Sequence, residues 1–215
     1  SSQHTREIFR IGLPSAVQSM LFSGISMVIA RLIAGWGDAA VAVQKVGSQI
    51  ESISWMTAEG YAAALNSFVA QNHGAKNTDR IREGYRLSMI VMLVLVVFCF
   101  FVLIVFPQLI FQVFIQEAEV LPMGVDYLRI LGVSQLFMCM EITTAGAFSG
   151  LGKTLPPSIV SITLTGARIP MAILLGRWLG LNGVWWAITI SSIGKGIVLL
   201  GWFLKDMKRA GMPER

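Results

Sequence analysis

The stretch from Leu87 to Phe106, LSMIVMLVLVVFCFFVLIVF, is twenty residues long and contains no charged side chain. As an α-helix it would be about 30 Å long, which is the thickness of the hydrocarbon core of a bilayer. A helix that is apolar on all sides is stable only inside a protein core or a membrane. The whole chain favours the membrane, because only 13% of its 215 residues are charged, against roughly 25% in soluble domains.

Five further segments have the length and the apolar character of a membrane-spanning helix. Together with the first, they predict an all-α, polytopic membrane protein in which six transmembrane helices form one domain over residues 1–215. The predicted helices cover residues 11–34, 39–72, 87–106, 120–150, 155–176 and 183–204. The stretch from Pro107 to Val120 is too short to span, and we expect it to lie along the membrane interface.

The basic residues predict the orientation, because cytoplasmic loops of membrane proteins carry an excess of lysine and arginine. If the amino terminus is cytoplasmic and all six segments cross, eleven basic residues of the loops and ends lie inside and only Arg31 and Arg177 lie outside. Without a crossing at 39–72, the basic cluster at 205–215 would lie outside. We therefore predict a multi-pass protein of the plasma (inner) membrane with both termini cytoplasmic. Because the chain starts at Ser1 without a signal peptide, we expect a segment of a longer protein or a processed chain.

Six charged side chains remain deep inside the predicted crossings, where each costs about 2.5–3.5 kcal/mol at the bilayer centre. They are the cations Lys45, Arg168 and Lys195 and the carboxylates Glu51, Glu59 and Glu141. Equal numbers of both signs predict pairing within the bundle. Glu141 and Arg168 lie about 14 and 20 Å from the inner ends of their helices, so we expect these two to pair. The pair could be a static salt bridge or part of a functional site.

The second predicted helix carries a polar stripe with a spacing of seven residues. Seven residues make nearly two helical turns, so such residues share one face. The stripe contains Lys45, Ser52, Glu59, Asn66 and His73, and Glu51 lies on its flank with Gln44 and Ser48. A polar stripe on a membrane helix faces a cavity or a polar partner helix, and the spacing leaves both alternatives open.

The sequence gives no indication of an enzyme. His4 and His73 are the only histidines, and no cluster has the pattern of a hydrolase triad or a zinc site. The motif GLGKT at 150–154 lacks the first glycine of a phosphate-binding loop, because Ala147 occupies that position. We predict no catalytic residue, no metal site and no nucleic-acid partner.

Several stretches, in the same order along the chain, resemble motifs of the multidrug and toxic compound extrusion (MATE) family. They are EIFRIGLPSAVQSMLFS at 7–23, EGYAAALNSFVAQNHGAKNTDRIR at 59–82, YLRILGVSQLF at 127–137, AGAFSGLGKTLPPS at 145–158, ARIPMAILL at 167–175 and LGLNGVWWAI at 179–188. Each motif is weak by itself, but their common order is specific. The RIP and GVWWAI segments favour the carboxy-terminal half of a family member.

This resemblance implies a transporter of two six-helix lobes around a central cavity that opens alternately to each side. The chain would be one lobe, and its partners would be the lipid bilayer and a second lobe from the same longer chain or from a second subunit. The family exports drugs or organic cations in exchange for protons or sodium ions, so the only cofactor implied is the coupling ion.

The resemblance also gives roles to the polar residues. The ion-coupling candidates are Glu51, Glu59 and Glu141, and their charge partners are Lys45, Arg168 and Lys195. The candidates for the substrate cavity are Gln18, Gln49, Trp55, Asn66 and Gln135. Some members carry a carboxylate on the first helix, whereas residues 12–34 here contain none, and Met138 stands where some carry an aspartate. Glu59 stands where the family generally has a small or apolar residue.

Two alternatives remain open from the sequence. A flippase of the same superfamily would move lipid-linked precursors, but it would need a more cationic cavity than three acids and three bases provide. A membrane subunit without a transport cycle of its own would also fit six helices without a second lobe.

Overall fold

A computed structural model describes residues 2–210, which form six long helices and one short helix and contain no strand. The helices are α1 (Ser2–Ala34), α2 (Asp38–Gly74), α3 (Thr78–Val105), α4 (Pro107–Gln112), α5 (Leu121–Gly150), α6 (Leu155–Leu179) and α7 (Leu181–Ala210). The predicted all-α fold is confirmed. The short helix α4 falls in the stretch that was predicted to be too short to span. Helices α1 and α3 begin nine residues before the predicted apolar segments, because the charged residues there continue the helix.

Short connections join the long helices, and three of them contain a glycine with a positive φ angle, including those before α2 and α7. Gly37, before α2, has a φ of 106°, and Gly180, between α6 and α7, has a φ of 72°. Side chains strongly disfavour such positive φ angles, so glycine is the natural residue at both turns. At the start of α3, the Asn77 side chain accepts a hydrogen bond from the Arg80 amide at 3.2 Å and caps the helix.

Helices α2, α5 and α7 run parallel to one another. Gly47 of α2 packs against Tyr127 near the start of α5, and the α2 backbone at Asn66 packs against Gly150 at its end. Likewise, Thr189 of α7 donates to the Ile130 carbonyl of α5 at 3.0 Å. The rings of Phe148 and Phe203, further along the same two helices, meet edge to face at 5.2 Å between centroids.

The remaining contacts show that successive long helices alternate in direction. Helix α3 is antiparallel to α5, because Leu103 packs against Gly132 whereas Tyr85 hydrogen bonds to Thr144 at 2.8 Å. Helices α6 and α7 are also antiparallel, because Arg168 hydrogen bonds to Ser192 whereas Gly176 packs against Val184. Helix α1 is parallel to α6, because Gln18 hydrogen bonds to Ser158 and Trp36 packs against Gly176. Alternating directions are the arrangement required of six successive crossings.

Five helices are long and apolar enough to cross a membrane by length and composition, namely α1, α3, α5, α6 and α7. Helix α2 does not meet that criterion, because polar residues interrupt it. It nevertheless lies along α5 from Gly47 to Val69, a distance of about 33 Å at 1.5 Å per residue. This length equals a bilayer crossing, so the packing supports the prediction that α2 also spans.

Two buried clusters fix the ends of the bundle. In one, the rings of Tyr127 and Trp185 meet edge to face at 5.0 Å between centroids. In the other, Phe203 packs against both Tyr85 and Phe148. The middle sections of α5 and α7 lie between the two clusters, and they carry Glu141 and Lys195.

Candidate functional site: a charged cavity inside the bundle

A cavity of about 450 Å³ lies between the two clusters and is lined by α1, α2, α5, α6 and α7. Five of the six deep charges line it, namely Glu51, Glu59, Glu141, Arg168 and Lys195. The cavity therefore contains three carboxylates and two cations. Lys45, the sixth deep charge, is exposed on α2, and no described carboxylate lies within 4 Å of it.

Glu141 and Lys195 form an ion pair across α5 and α7. The Glu141 Oε2 and Lys195 Nζ atoms are 3.5 Å apart, and the two side chains are 12% and 5% exposed. Lys195 Nζ also donates to the Thr165 hydroxyl at 3.3 Å. A charge pair this deeply buried needs such additional hydrogen bonds to offset the loss of water.

Arg168 of α6 is directed at α7 and does not form the predicted pair with Glu141. Its guanidinium donates to the hydroxyls of Ser191 and Ser192, the latter at 2.9 Å. The pairing prediction was wrong because it compared depths only. Helix α5 packs along α7 and makes little contact with α6. Lys195 of α7, and not Arg168 of α6, therefore lies within ion-pair distance of Glu141. Arg168 interacts with Glu141 and Glu51 only by longer-range electrostatic attraction.

Glu51 has the least satisfied carboxylate of the cavity. Its Oε1 atom is buried and has no hydrogen-bond partner among residues 2–210. The Tyr127 hydroxyl lies beside the Glu51 carboxyl and 3.5 Å from the Ser48 hydroxyl. Buried polar atoms are normally paired. Because this oxygen is not, it can accept a proton or bind a small cation.

An aromatic ring from α1 faces the two cations. The Phe22 centroid is 5.9 Å from the Arg168 guanidinium carbon and 5.7 Å from Lys195 Nζ, distances at which a cation is attracted to the ring. Trp55 of α2 also lines the cavity. The cavity thus combines acids, bases and aromatic surfaces.

The structure brings only some of the predicted cavity residues together. Gln18 and Trp55 line the cavity, and Gln18 accepts a hydrogen bond from Ser158 at 3.2 Å. Gln49, Asn66 and Gln135 do not line it. Gln49 is exposed on α2, Asn66 lies at the contact with Gly150, and Gln135 is buried, with its amide 3.4 Å from the Leu131 carbonyl.

The face of α2 that lines the cavity differs from the predicted seven-residue stripe. It consists of Gln44, Ser48, Glu51, Trp55 and Glu59. These residues follow the three-to-four-residue spacing of a straight helix, whereas the stripe through Lys45 and Ser52 drifts off the cavity. The sequence contains a signal for this face, because Glu59 lies on the predicted stripe and Gln44, Ser48 and Glu51 lie on its flank. Gln44, at the start of this face, accepts a hydrogen bond from the buried Trp185 indole at 2.9 Å.

Comparisons with known proteins agree with the fold and the motifs. Residues 14–174 match the family model described as MatE. The "Probable multidrug resistance protein NorM" of Thermotoga maritima is 30% identical over 214 residues, which are 95% of this chain and 45% of that protein. The "Multidrug and toxin extrusion protein 1" of Oryctolagus cuniculus is 24% identical over 208 residues, 94% of this chain and 36% of that protein.

Solved structures show the same fold at lower identity. The bent form of the Vibrio cholerae MATE transporter VcmN superimposes with a TM-score of 0.89 at 21% identity, covering 97% of this chain and 48% of that one. A superfamily transporter from Pyrococcus furiosus gives a TM-score of 0.89 at 20% identity, covering 99% of this chain and 49% of that one. The chain spans between about a third and a half of the length of these proteins. Because the family model covers more than half of the chain, the protein is a multi-pass membrane protein of the MatE (multidrug and toxic compound extrusion) family, whose members are transporters and not enzymes.

Proposed function

We propose that the chain is one lobe of a cation-coupled antiporter that exports drugs or organic cations in exchange for protons or sodium ions. The observation that carries this proposal is the cavity, in which three carboxylates oppose two cations beside Trp55 and Phe22. Excess negative charge and aromatic faces are the features that bind a lipophilic cation. A volume of about 450 Å³ lies within the range of small-molecule sites.

Glu51 is the proposed binding residue for the coupling ion. Its buried, unpartnered Oε1 atom would gain a bond from a proton or from Na⁺. Glu141 already has a counter-ion in Lys195, so we assign it to holding α5 and α7 together. Glu59 is exposed at the edge of the cavity, and we assign it to attracting the cationic substrate.

A second six-helix lobe would complete the transporter. The outward faces of α1 and α2 support this, since Met20, Met27 and Ile53 are 75%, 73% and 70% exposed on the two helices that form one wall of the cavity. The second lobe would come from the same longer chain or from a second subunit. We propose that the assembly lies in the inner membrane with both termini of this chain in the cytoplasm, as the basic residues predict. The RIP and GVWWAI segments favour the carboxy-terminal lobe.

The test is ethidium efflux from cells that lack other exporters and express the full transporter. Glu51→Gln removes the titratable group at nearly constant volume, and we expect efflux to fall at least tenfold. Glu59→Gln should weaken apparent substrate affinity more than the maximal rate. Glu83→Gln, an exposed acid on α3 outside the cavity, is the matched control and should leave efflux unchanged. Wild-type efflux from the Glu51→Gln variant would disprove the assigned coupling role.

The second candidate is a flippase for lipid-linked precursors, and the observation that favours it is the pair of buried cations. Arg168 and Lys195 both line the cavity and together could hold a phosphate group. The Pyrococcus furiosus transporter is described as having a binding pocket of reverse polarity that suggests a different function. Absence of ethidium efflux from the wild type, with movement of a fluorescent lipid phosphate in vesicles, would favour this candidate. Absence of both activities would favour a subunit without a transport cycle.

A further inference from the structure

A second concavity, separate from the cavity, opens between α3 and α7. This groove has a volume of about 790 Å³, and its floor contains Met140 of α5. Its mouth faces outward, because Ile90 of α3 and Leu204 of α7 are 49% and 52% exposed. Among the described residues, none lines both the groove and the cavity. The groove is therefore on the membrane-facing side of the bundle.

Three cations stand together at one end of the groove: Arg82, Arg86 and Lys208. Arg82 donates to the Met207 carbonyl near the end of α7 and so helps to hold α3 and α7 together there. Arg86 and Lys208 are exposed, and neither has a carboxylate within 4 Å in the part of the chain that the structure describes. The rim of the groove thus presents two unpaired positive charges.

The length of the groove matches one leaflet of a bilayer. On α3 its lining extends from Arg82 to Leu93 and on α7 from Lys208 back to Leu200. These stretches measure about 16 Å and about 12 Å at 1.5 Å per residue. One leaflet contributes about half of the 30 Å hydrocarbon core.

The wall below the cations is apolar and adaptable. Met89, Met140 and Met207 line it together with Phe203. Methionine side chains are flexible and fill irregular space, so they suit a disordered hydrocarbon chain better than a rigid ligand.

From this arrangement we propose that the groove binds one anionic phospholipid. Its phosphate would contact Arg86 and Lys208, and one acyl chain would lie along the apolar wall toward Leu93. Charge complementarity selects this occupant, since basic clusters between transmembrane helices at a membrane surface bind acidic lipid headgroups. The proposal requires only that the protein lies in a membrane and is independent of what the cavity transports.

Native mass spectrometry of the detergent-purified protein tests the proposal by titration with phosphatidylglycerol and phosphatidylcholine. We expect wild-type protein to bind phosphatidylglycerol at least tenfold more tightly. The double variant R86Q/K208Q should lose about tenfold or more of that affinity and keep its affinity for phosphatidylcholine. Arg82 is left in place because it also holds the helix end. The control R80Q/K205Q removes the same charge from nearby exposed positions that do not line the groove and should bind like wild type.

Two further measurements identify the source of the phosphate and the role of the wall. Leu93→Trp narrows the far end of the groove and should weaken binding of both lipids. Glycerol phosphate, which has the headgroup without the acyl chains, should fail to compete at a hundredfold excess over lipid. Competition by glycerol phosphate would show a site for a simple anion instead of a lipid. An equal loss of phosphatidylglycerol affinity in R86Q/K208Q and R80Q/K205Q would show an effect of general surface charge. Either result would overturn the proposal.

Discussion

Helices α2 and α5 lie side by side over two stretches with opposite character. Toward their carboxyl ends the backbones touch, since a Cβ atom added at Gly146 would lie 2.6 Å from the Ala62 carbonyl oxygen and one at Gly150 would lie 2.6 Å from that of Asn66. We call this contact the glycine seam. In the stretch that precedes this seam, the same two helices form walls of the cavity, with Glu51 on one and Glu141 on the other.

The difference shows how one helix pair can touch backbone to backbone along one stretch and line a cavity along the next, before Gly47 and Tyr127 pack together again nearer the amino ends. Small residues let membrane helices approach closely and gain van der Waals contact. The charged side chains that line the cavity need pairing or water. Beside them the two helices stay in contact, with Cys139 Sγ 3.9 Å from the Ser54 carbonyl oxygen. The glycine seam and the cavity wall should therefore respond differently to mutation.

The largest expected effect comes from breaking the ion pair in the cavity. Glu141→Gln would leave the buried Lys195 ammonium group without its carboxylate partner. The positive charge of Arg168, which lies close by, would add repulsion. Removing one partner of a buried pair costs about 3–5 kcal/mol, so we expect a Tm lower by about 10 °C in detergent. A thermal unfolding scan of the purified protein measures this.

Two matched variants separate the ion pair from the loss of an acid. The double variant E141Q/K195M removes both charges and should recover most of the lost Tm. Glu59→Gln makes the same acid-to-amide change at an exposed position without an ion pair and should change the Tm by less than about 2 °C. An unchanged Tm in the Glu141→Gln variant would show that water in the cavity already solvates Lys195.

The glycine seam should show the next largest effect. Gly146→Ala places a methyl group against the backbone of α2, where no side chain can move away. Overpacking of this kind costs about 1–3 kcal/mol. Gly60→Ala, on α2 with nothing within 4 Å of the new Cβ, is the control and should raise stability by about 0.5–1 kcal/mol. Equal unfolding midpoints for the two variants would show that the glycine seam is not packed too tightly for a methyl group.

The sequence predicts the helices of this protein better than their contacts. Apolar length and the distribution of basic residues predicted six long helices and the interfacial stretch at 107–120, because both signals are local or additive along the chain. The directions of the helices in the structure agree with that prediction. The crossing of α2 itself stays a prediction, which its packing along α5 supports.

The site was less predictable because it depends on how the helices rotate against one another. The pair of Glu141 with Arg168 was inferred from depth, but neighbours are set by packing, which placed α7 and Lys195 beside α5. Gln49 and Asn66 share α2 with the true cavity residues but point elsewhere. Phe22 gave no signal, because one aromatic residue among apolar ones on α1 is typical of any membrane helix.

The smallest expected effect lies where the cavity meets the buried aromatic cluster. Tyr127→Phe keeps the ring against Trp185 and removes the hydroxyl beside Glu51 and Ser48. The loss of one hydrogen-bonding group costs about 1 kcal/mol, and the ring contact remains, so we expect the Tm to fall by less than about 4 °C. Ser48→Ala removes the other hydroxyl of that contact and should have a still smaller effect. If Tyr127→Phe destabilised the protein as much as Glu141→Gln does, the Glu51 carboxyl would depend on the hydroxyl, and the cavity would be as tightly constrained as the glycine seam.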